Sequence, residues 1–209
     1  MMFMPPSLDD LTWPVTTPRL LIRRAGPADT APIWDRYRHL ESVRWWLSGG
    51  DHDFAAFAEK YSDPTRLGGL LVIERDGEII GDLMLRLGDV WAQFPAPEDP
   101  LRQAEIGWCL APDAQGHGYA SEAARELLRI SFEDLSLHRV TAFCFTGNTP
   151  SWRLMEKLGM RREQHTLKDS VHSSGEILDS YGYALLAEEW RAQERPAPRS
   201  ASKPSLHEA

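Results

Sequence analysis

The chain has little cysteine. Two residues, Cys109 and Cys144, occur in 209, both in strand-like runs, which excludes a disulfide scaffold and predicts reduced thiols. Basic charge is also in short supply, with 23 Lys and Arg against 31 Asp and Glu, a formal net charge of −8. A binder of nucleic-acid backbone needs a dominant basic surface, so that class is excluded. An acidic surface favours cationic partners such as amines instead. No uninterrupted apolar run reaches about 18 residues, so no membrane span is expected. The start, MMFMPPSLDDLTWPVTTPR, has no basic residue before Arg19 and carries prolines where a signal peptide has its apolar stretch. That pattern predicts no export and a cytoplasmic setting. The seven histidines are scattered, and His165 and His172 lack partners at ligand spacing, so no metal site is expected.

What is present suffices for a core. A hydrophobic content of 42% over 209 residues fits one domain, placed at residues 18–190. Residues 1–17 read as an irregular arm. Residues 191–209, RAQERPAPRSASKPSLHEA, read as a disordered tail rich in Pro, Ser and Ala.

Between these ends, RLLIRR at 19–24 predicts a strand, and Asp29 caps a helix running to about Leu40. A second helix is expected over 53–61. LLVIERDGEIIGDLMLRL at 70–87 gives two β-rich runs joined by Asp76-Gly77, a strong hairpin signal. Residues 88–102 form a long proline-bearing loop with Trp91 and Phe94. Strands follow at 104–111 and 138–145 around a helix that starts near Gly118. A short helix over 148–160 starts at Asn148 or Thr149 with Pro150 in its first turn and stops at Gly159. A last hairpin pairs 160–168 with 176–186. This order predicts a mixed α/β sheet, not a uniform βαβ winding.

The chemistry concentrates in AEIGWCLAPDAQGHGYASEAARELLRI at 104–130. Glycines at 116 and 118 let a ligand approach backbone N–H groups, and the following helix adds the positive end of its dipole, which suits an anion. A P-loop is excluded because no Lys-Ser or Lys-Thr follows the glycines. A dinucleotide fingerprint needs glycine at 121, where Ser121 stands, so that match is weak.

Gln115-Gly116-His117-Gly118-Tyr119-Ala120 resembles the [Arg/Gln]-x-x-Gly-x-[Gly/Ala] acetyl-coenzyme A loop of the GNAT N-acetyltransferases. With EIGWCL, NTPSWRLMEKLGM and DSYGYALLAEEW, the chain is similar to the Rim-type branch that acetylates N-termini of ribosomal proteins. The resemblance covers about residues 17–190. It implies the acyl-coenzyme A N-acyltransferase fold: a mostly antiparallel sheet, flanked by helices, in which two parallel strands, 104–111 and 138–145, splay apart. Pantetheine would pair with the freed edge near Trp108, Cys109 and Leu110, and amides from Gln115 to Ala120 would cradle the diphosphate. A backbone bulge near Gly107 and Trp108 is expected to aim an N–H at the reacting carbonyl.

The same resemblance makes Glu105 the proton acceptor, Asn148 a pantetheine contact, and Ser151 a cofactor contact and hydrogen-bond donor to the departing sulfur. Asn148 and Ser151 equally suit helix capping. A covalent route through Cys109 is disfavoured, since strand cysteines are usually small buried hydrophobes. Trp45, Trp46, Trp91, Phe94, Lys168 and His172 fall in segments that border the acceptor cleft. The expected function is acetyl transfer from acetyl-coenzyme A to a peptide α-amine or a small-molecule amine, by a monomer or homodimer. The alternative is an acyl-coenzyme A-binding regulatory domain without catalysis.

Overall fold

A computed structural model describes residues 7–44, 53–91 and 102–194. Among them, eight strands form one sheet: β1 (Val15–Thr16), β2 (Leu21–Arg24), β3 (Leu70–Arg75), β4 (Glu78–Asp89), β5 (Arg102–Leu110), β6 (Arg139–Phe145), β7 (Arg161–Val171) and β8 (Ile177–Leu186). The spatial order is β1, β2, β3, β4, β5, β6, β8, β7. β5 and β6 run parallel, and the other neighbours run antiparallel. The Asp76-Gly77 turn closes the β3–β4 hairpin with both φ values positive, at 53° and 82°, the geometry a two-residue turn needs to follow strand twist.

The helices are α1 (Thr30–Ile33), continued by a π-helical turn at Trp34–Arg38, then α2 (Glu41–Arg44), α3 (Phe54–Ser62), α4 (Pro64–Leu67), α5 (Tyr119–Arg129), α6 (Thr149–Lys157) and α7 (Ala187–Glu194). Asp53 caps α3 by accepting from the Ala56 N–H at 2.9 Å, and Asp63 caps α4 through Thr65. α5 buries Tyr119, Ala123, Ala124, Leu127 and Leu128, a stripe at helical spacing that packs on β5. Leu71, Leu83, Leu85 and Leu127 are fully excluded from solvent, each worth roughly 1.5–3 kcal/mol relative to exposure. Among the described residues, no helix is long and apolar enough to cross a membrane.

The ends differ from the sequence reading. Residues 8–10 form a helical turn capped by Ser7, Leu8 is buried, and the Trp13 indole donates to the Leu8 carbonyl at 2.9 Å. Val15 and Thr16 then pair with Ile22 and Leu21. At the other end α7 continues to Glu194, with Trp190 stacked on Phe132 and donating to Glu133. The remainder of the expected tail, 195–209, lies outside the described residues.

One relationship positions the site. β5 and β6 pair only through Gln103 with Arg139, Ala104 with Val140, and Glu105 with Thr141. Beyond these residues β6 stays on β8 up to Phe145, while β5 stays on β4 up to Leu110. The two strands therefore part, and among the described residues the β5 edge from Ile106 to Leu110 has no strand partner on that side.

Candidate active site

The parting opens into a cavity of about 1290 Å³. Its wall takes Glu105, Trp108 and Cys109 from β5, Phe143 and Cys144 from β6, Asn148 from the cap before α6, and Ser151 from α6 itself. It continues past Arg38 and Asp82 to Tyr61 and Arg66 on α3 and α4. The gap between the strands and the face beside α3 are thus one continuous space.

The expected bulge at Gly107 and Trp108 is absent. β4 and β5 keep one uninterrupted register from Gly81–Leu110 to Asp89–Arg102. The unpaired β5 amides arise because β6 diverges, so no extra residue is needed to free them.

Gly116 and Gly118 take φ of 79° and 83°, left-handed values that disfavour any side chain, and α5 begins at Tyr119. The N–H groups of Gly116, His117, Gly118, Tyr119 and Ala120 are unpaired among the described residues, a set that fits a diphosphate. Gln115 does not present its amide. Its N–H turns back to the Pro112 carbonyl, and its side chain donates to the Leu110 carbonyl at 3.2 Å, so it closes the loop and also occupies Leu110. The Tyr119 side chain is buried between Arg19 and Arg75, which leaves Tyr119 only its backbone for an anion. His117 gives its carbonyl to Arg19 at 3.0 Å and rests its ring beside Tyr119.

At the far wall, Asn148 caps α6 by accepting from the Ser151 N–H at 3.3 Å, with Pro150 in the first turn. Asn148 therefore caps a helix and lines the cavity together. Burial pushes the Cys144 thiol up to about 11, and a hydrogen bond with the Ser151 side chain offsets part of that rise. The Ser151 hydroxyl thus already faces a sulfur. Cys109 is raised further, to about 12, by burial. At neutral pH neither thiol is a nucleophile, which speaks against the covalent route.

Glu105 sits opposite Arg86 across the β4–β5 register. Arg86 Nη2 binds its Oε2, and Oε1 remains unengaged among the described residues. Deeper in, Tyr37 donates to Asp82 Oδ2 at 2.5 Å, and Arg38 holds both carboxylate oxygens. Burial, then the Asp82 charge, pushes the Tyr37 hydroxyl well above its ordinary value.

Of the other residues assigned to the cleft border, Trp45, Trp46 and Phe94 lie outside the described residues. Trp91 is 88% exposed. Lys168 donates its N–H to Asp179, and His172 is buried in the β7–β8 turn. None of these three lines the cavity. Sequence reasoning missed Arg38, Tyr61, Asp82 and Cys144. Only the buried acid at Asp82, inside an apolar strand run, carried any signal.

Comparisons with known proteins agree with this geometry. Residues 19–161 match the acetyltransferase (GNAT) domain model. The uncharacterized N-acetyltransferase YnaD of Bacillus subtilis is 33% identical over 179 residues, covering 84% of this chain and 98% of that one. The putative ribosomal N-acetyltransferase YdaF of the same organism is 34% identical over 92 residues, 44% of this chain and 50% of that one. A GNAT-family acetyltransferase from Bacillus anthracis superposes with a TM-score of 0.70 at 29% identity, covering 85% of this chain and all of that one. The chain is an enzyme of the GNAT acetyltransferase family.

Proposed function

We propose that this chain transfers the acetyl group of acetyl-coenzyme A to a primary amine by direct attack in a ternary complex. The acceptor is a protein N-terminal α-amine of the ribosomal-protein kind, or a small-molecule amine. The observation that carries the reading is the parting of β5 and β6 into a cavity whose wall holds both Glu105 and Ser151. The partial likeness to a putative ribosomal N-acetyltransferase supports the Rim-type assignment, and the cofactor suits a cytoplasmic chain.

When bound, coenzyme A supplies the thioester acyl donor. The unpaired amides from Gly116 to Ala120 hold its diphosphate, and the β5 edge at Trp108 and Cys109 orients the pantetheine arm. Holding amine and thioester together contributes roughly 7–11 kcal/mol toward the barrier. Glu105 Oε1 accepts the proton of the attacking amine. The attacking amine must first be neutral, and an α-ammonium gives up its proton more readily than a lysine ammonium, with pKa values of about 8 and about 10.4. Ser151 offers its hydroxyl to the departing sulfur.

The test is thiol release from acetyl-coenzyme A over a panel of peptides and small amines. Turnover of at least one primary amine is expected. Coenzyme A binding without turnover of any acceptor would replace this reading with that of a regulatory binding domain.

A further inference from the structure

Tyr61, on α3, is 3% exposed and lines the cavity. Its ring packs on Phe57 at 4.8 Å, yet its hydroxyl is shut from solvent and has no hydrogen-bond partner among the described residues. Burial, then the Asp82 charge, holds that hydroxyl protonated at any working pH. A buried O–H whose hydrogen finds no acceptor costs roughly 1–3 kcal/mol, and buried polar groups are seldom left so. Among the described residues no group accepts from it, and the Asp82 carboxylate accepts from Arg38 and Tyr37 instead.

The charges around the cavity bear on what supplies the acceptor. Asp9, Asp63, Asp82 and Glu105 are the carboxylates on the described wall, and each is paired with an arginine. Each described carboxylate of the wall is thus already charge-paired, and a second ammonium group there would compete with an arginine. A polyamine would bring further N–H donors to a hydroxyl that lacks an acceptor.

Accepting the acetyl-transfer reading above, on which this rests, we infer that Tyr61 is a specificity-determining residue that donates to an sp² oxygen beside the acceptor's amine. A peptide N-terminus offers that oxygen as a carbonyl, and a free amino acid offers it as a carboxylate. A polyamine or simple alkylamine lacks it. A site built to hydrogen-bond a substrate group rejects the analogue that lacks it.

The experiment measures kcat and KM for a dipeptide amide, free alanine, isopropylamine and spermidine, with wild type and Tyr61→Phe. Wild type is expected to use at least one of the first two with kcat/KM about 100-fold above the carbonyl-free amines. Tyr61→Phe is expected to raise KM for that acceptor about 3- to 10-fold with kcat little changed. Its Tm should equal or exceed that of wild type, because the change removes only an unpaired hydroxyl. Calorimetry with coenzyme A runs on both proteins in parallel. Intact cofactor binding with equal use of carbonyl-free amines, with turnover of carbonyl-free amines only, or with Tyr61→Phe matching wild type throughout, overturns this inference alone, whereas intact binding with no turnover of any acceptor overturns the acetyl-transfer reading as well. No heat with coenzyme A overturns the acetyl-transfer reading and this inference together.

Discussion

The Arg38 guanidinium closes on the Asp82 carboxylate across 44 residues of sequence, Nε to Oδ2 at 3.0 Å and Nη2 to Oδ1 at 2.5 Å. The Asp82 side chain is 5% exposed and that of Arg38 15%. The pair ties the π-helical turn after α1 to the middle of β4 and forms part of the cavity wall. Two buried charges offset each other's desolvation only while both are present.

Asp82→Ala is therefore expected to destabilise the fold by about 3–5 kcal/mol, since it strands a buried guanidinium and unpairs the Tyr37 hydroxyl. Urea unfolding at neutral pH measures it. A loss below about 1 kcal/mol, the range of a surface pair, would show that the pair is solvated.

Glu105→Gln separates chemistry from folding. The Arg86–Glu105 pair is partly exposed, with side chains 65% and 28% accessible, so stability should fall by less than about 1 kcal/mol. If Glu105 takes the amine proton, kcat should fall by roughly 10²–10⁴ while coenzyme A affinity holds. An unchanged kcat across pH removes Glu105 from the mechanism.

Acid sensitivity should trace partly to Asp29. Burial raises its pKa, but hydrogen bonds from Arg23 and the Gly26 N–H outweigh that and hold the carboxyl below its ordinary value. A carboxyl depressed in the folded state contributes stability that is full above its unfolded pKa of about 3.9 and is lost as pH falls through the folded value. Asp29→Asn should be less stable than wild type at pH 7 and lose less between about pH 4 and pH 2. Urea midpoints across that window check it, and parallel acid limbs for the two proteins would contradict it.

Gly118→Ala tests the loop. At φ of 83° an added Cβ is strained and would meet the Arg19 guanidinium at 3.4 Å. The expected cost is about 1–2 kcal/mol of stability. If relieving that strain moves the amides, coenzyme A affinity should fall about tenfold for each 1.4 kcal/mol lost in binding. Calorimetry reads the affinity and thermal melting the stability.

What was legible in the sequence was local. Asp76-Gly77 fixes a hairpin through its own two φ angles, Gly116 and Gly118 mark a left-handed loop, and Asn148 with Pro150 starts a helix, because each decision rests on neighbours a few residues apart. The resemblance to the GNAT family then implied the parting of β5 and β6. What was not legible depends on distant contacts. Asp82 meets Tyr37 across 45 residues, and Ser151 faces Cys144 only because α6 folds back over β6. Leu8 gains its place from a pocket that no arm sequence announces. Gln115 fits the loop motif by type, yet its competing bonds to Pro112 and Leu110 appear only when the turn is built. Tyr61 reads as one more apolar position of α3 until its hydroxyl is found without a partner.

The most direct measurement is an amide NMR titration of the full chain with coenzyme A. Saturable shifts are predicted at Gly116–Ala120, along 106–109 of β5, and at Asn148 and Ser151, with β7 unaffected. A spectrum that does not change, or changes confined to surfaces away from the β5–β6 gap, would contradict the assignment of that gap as the acyl-donor site.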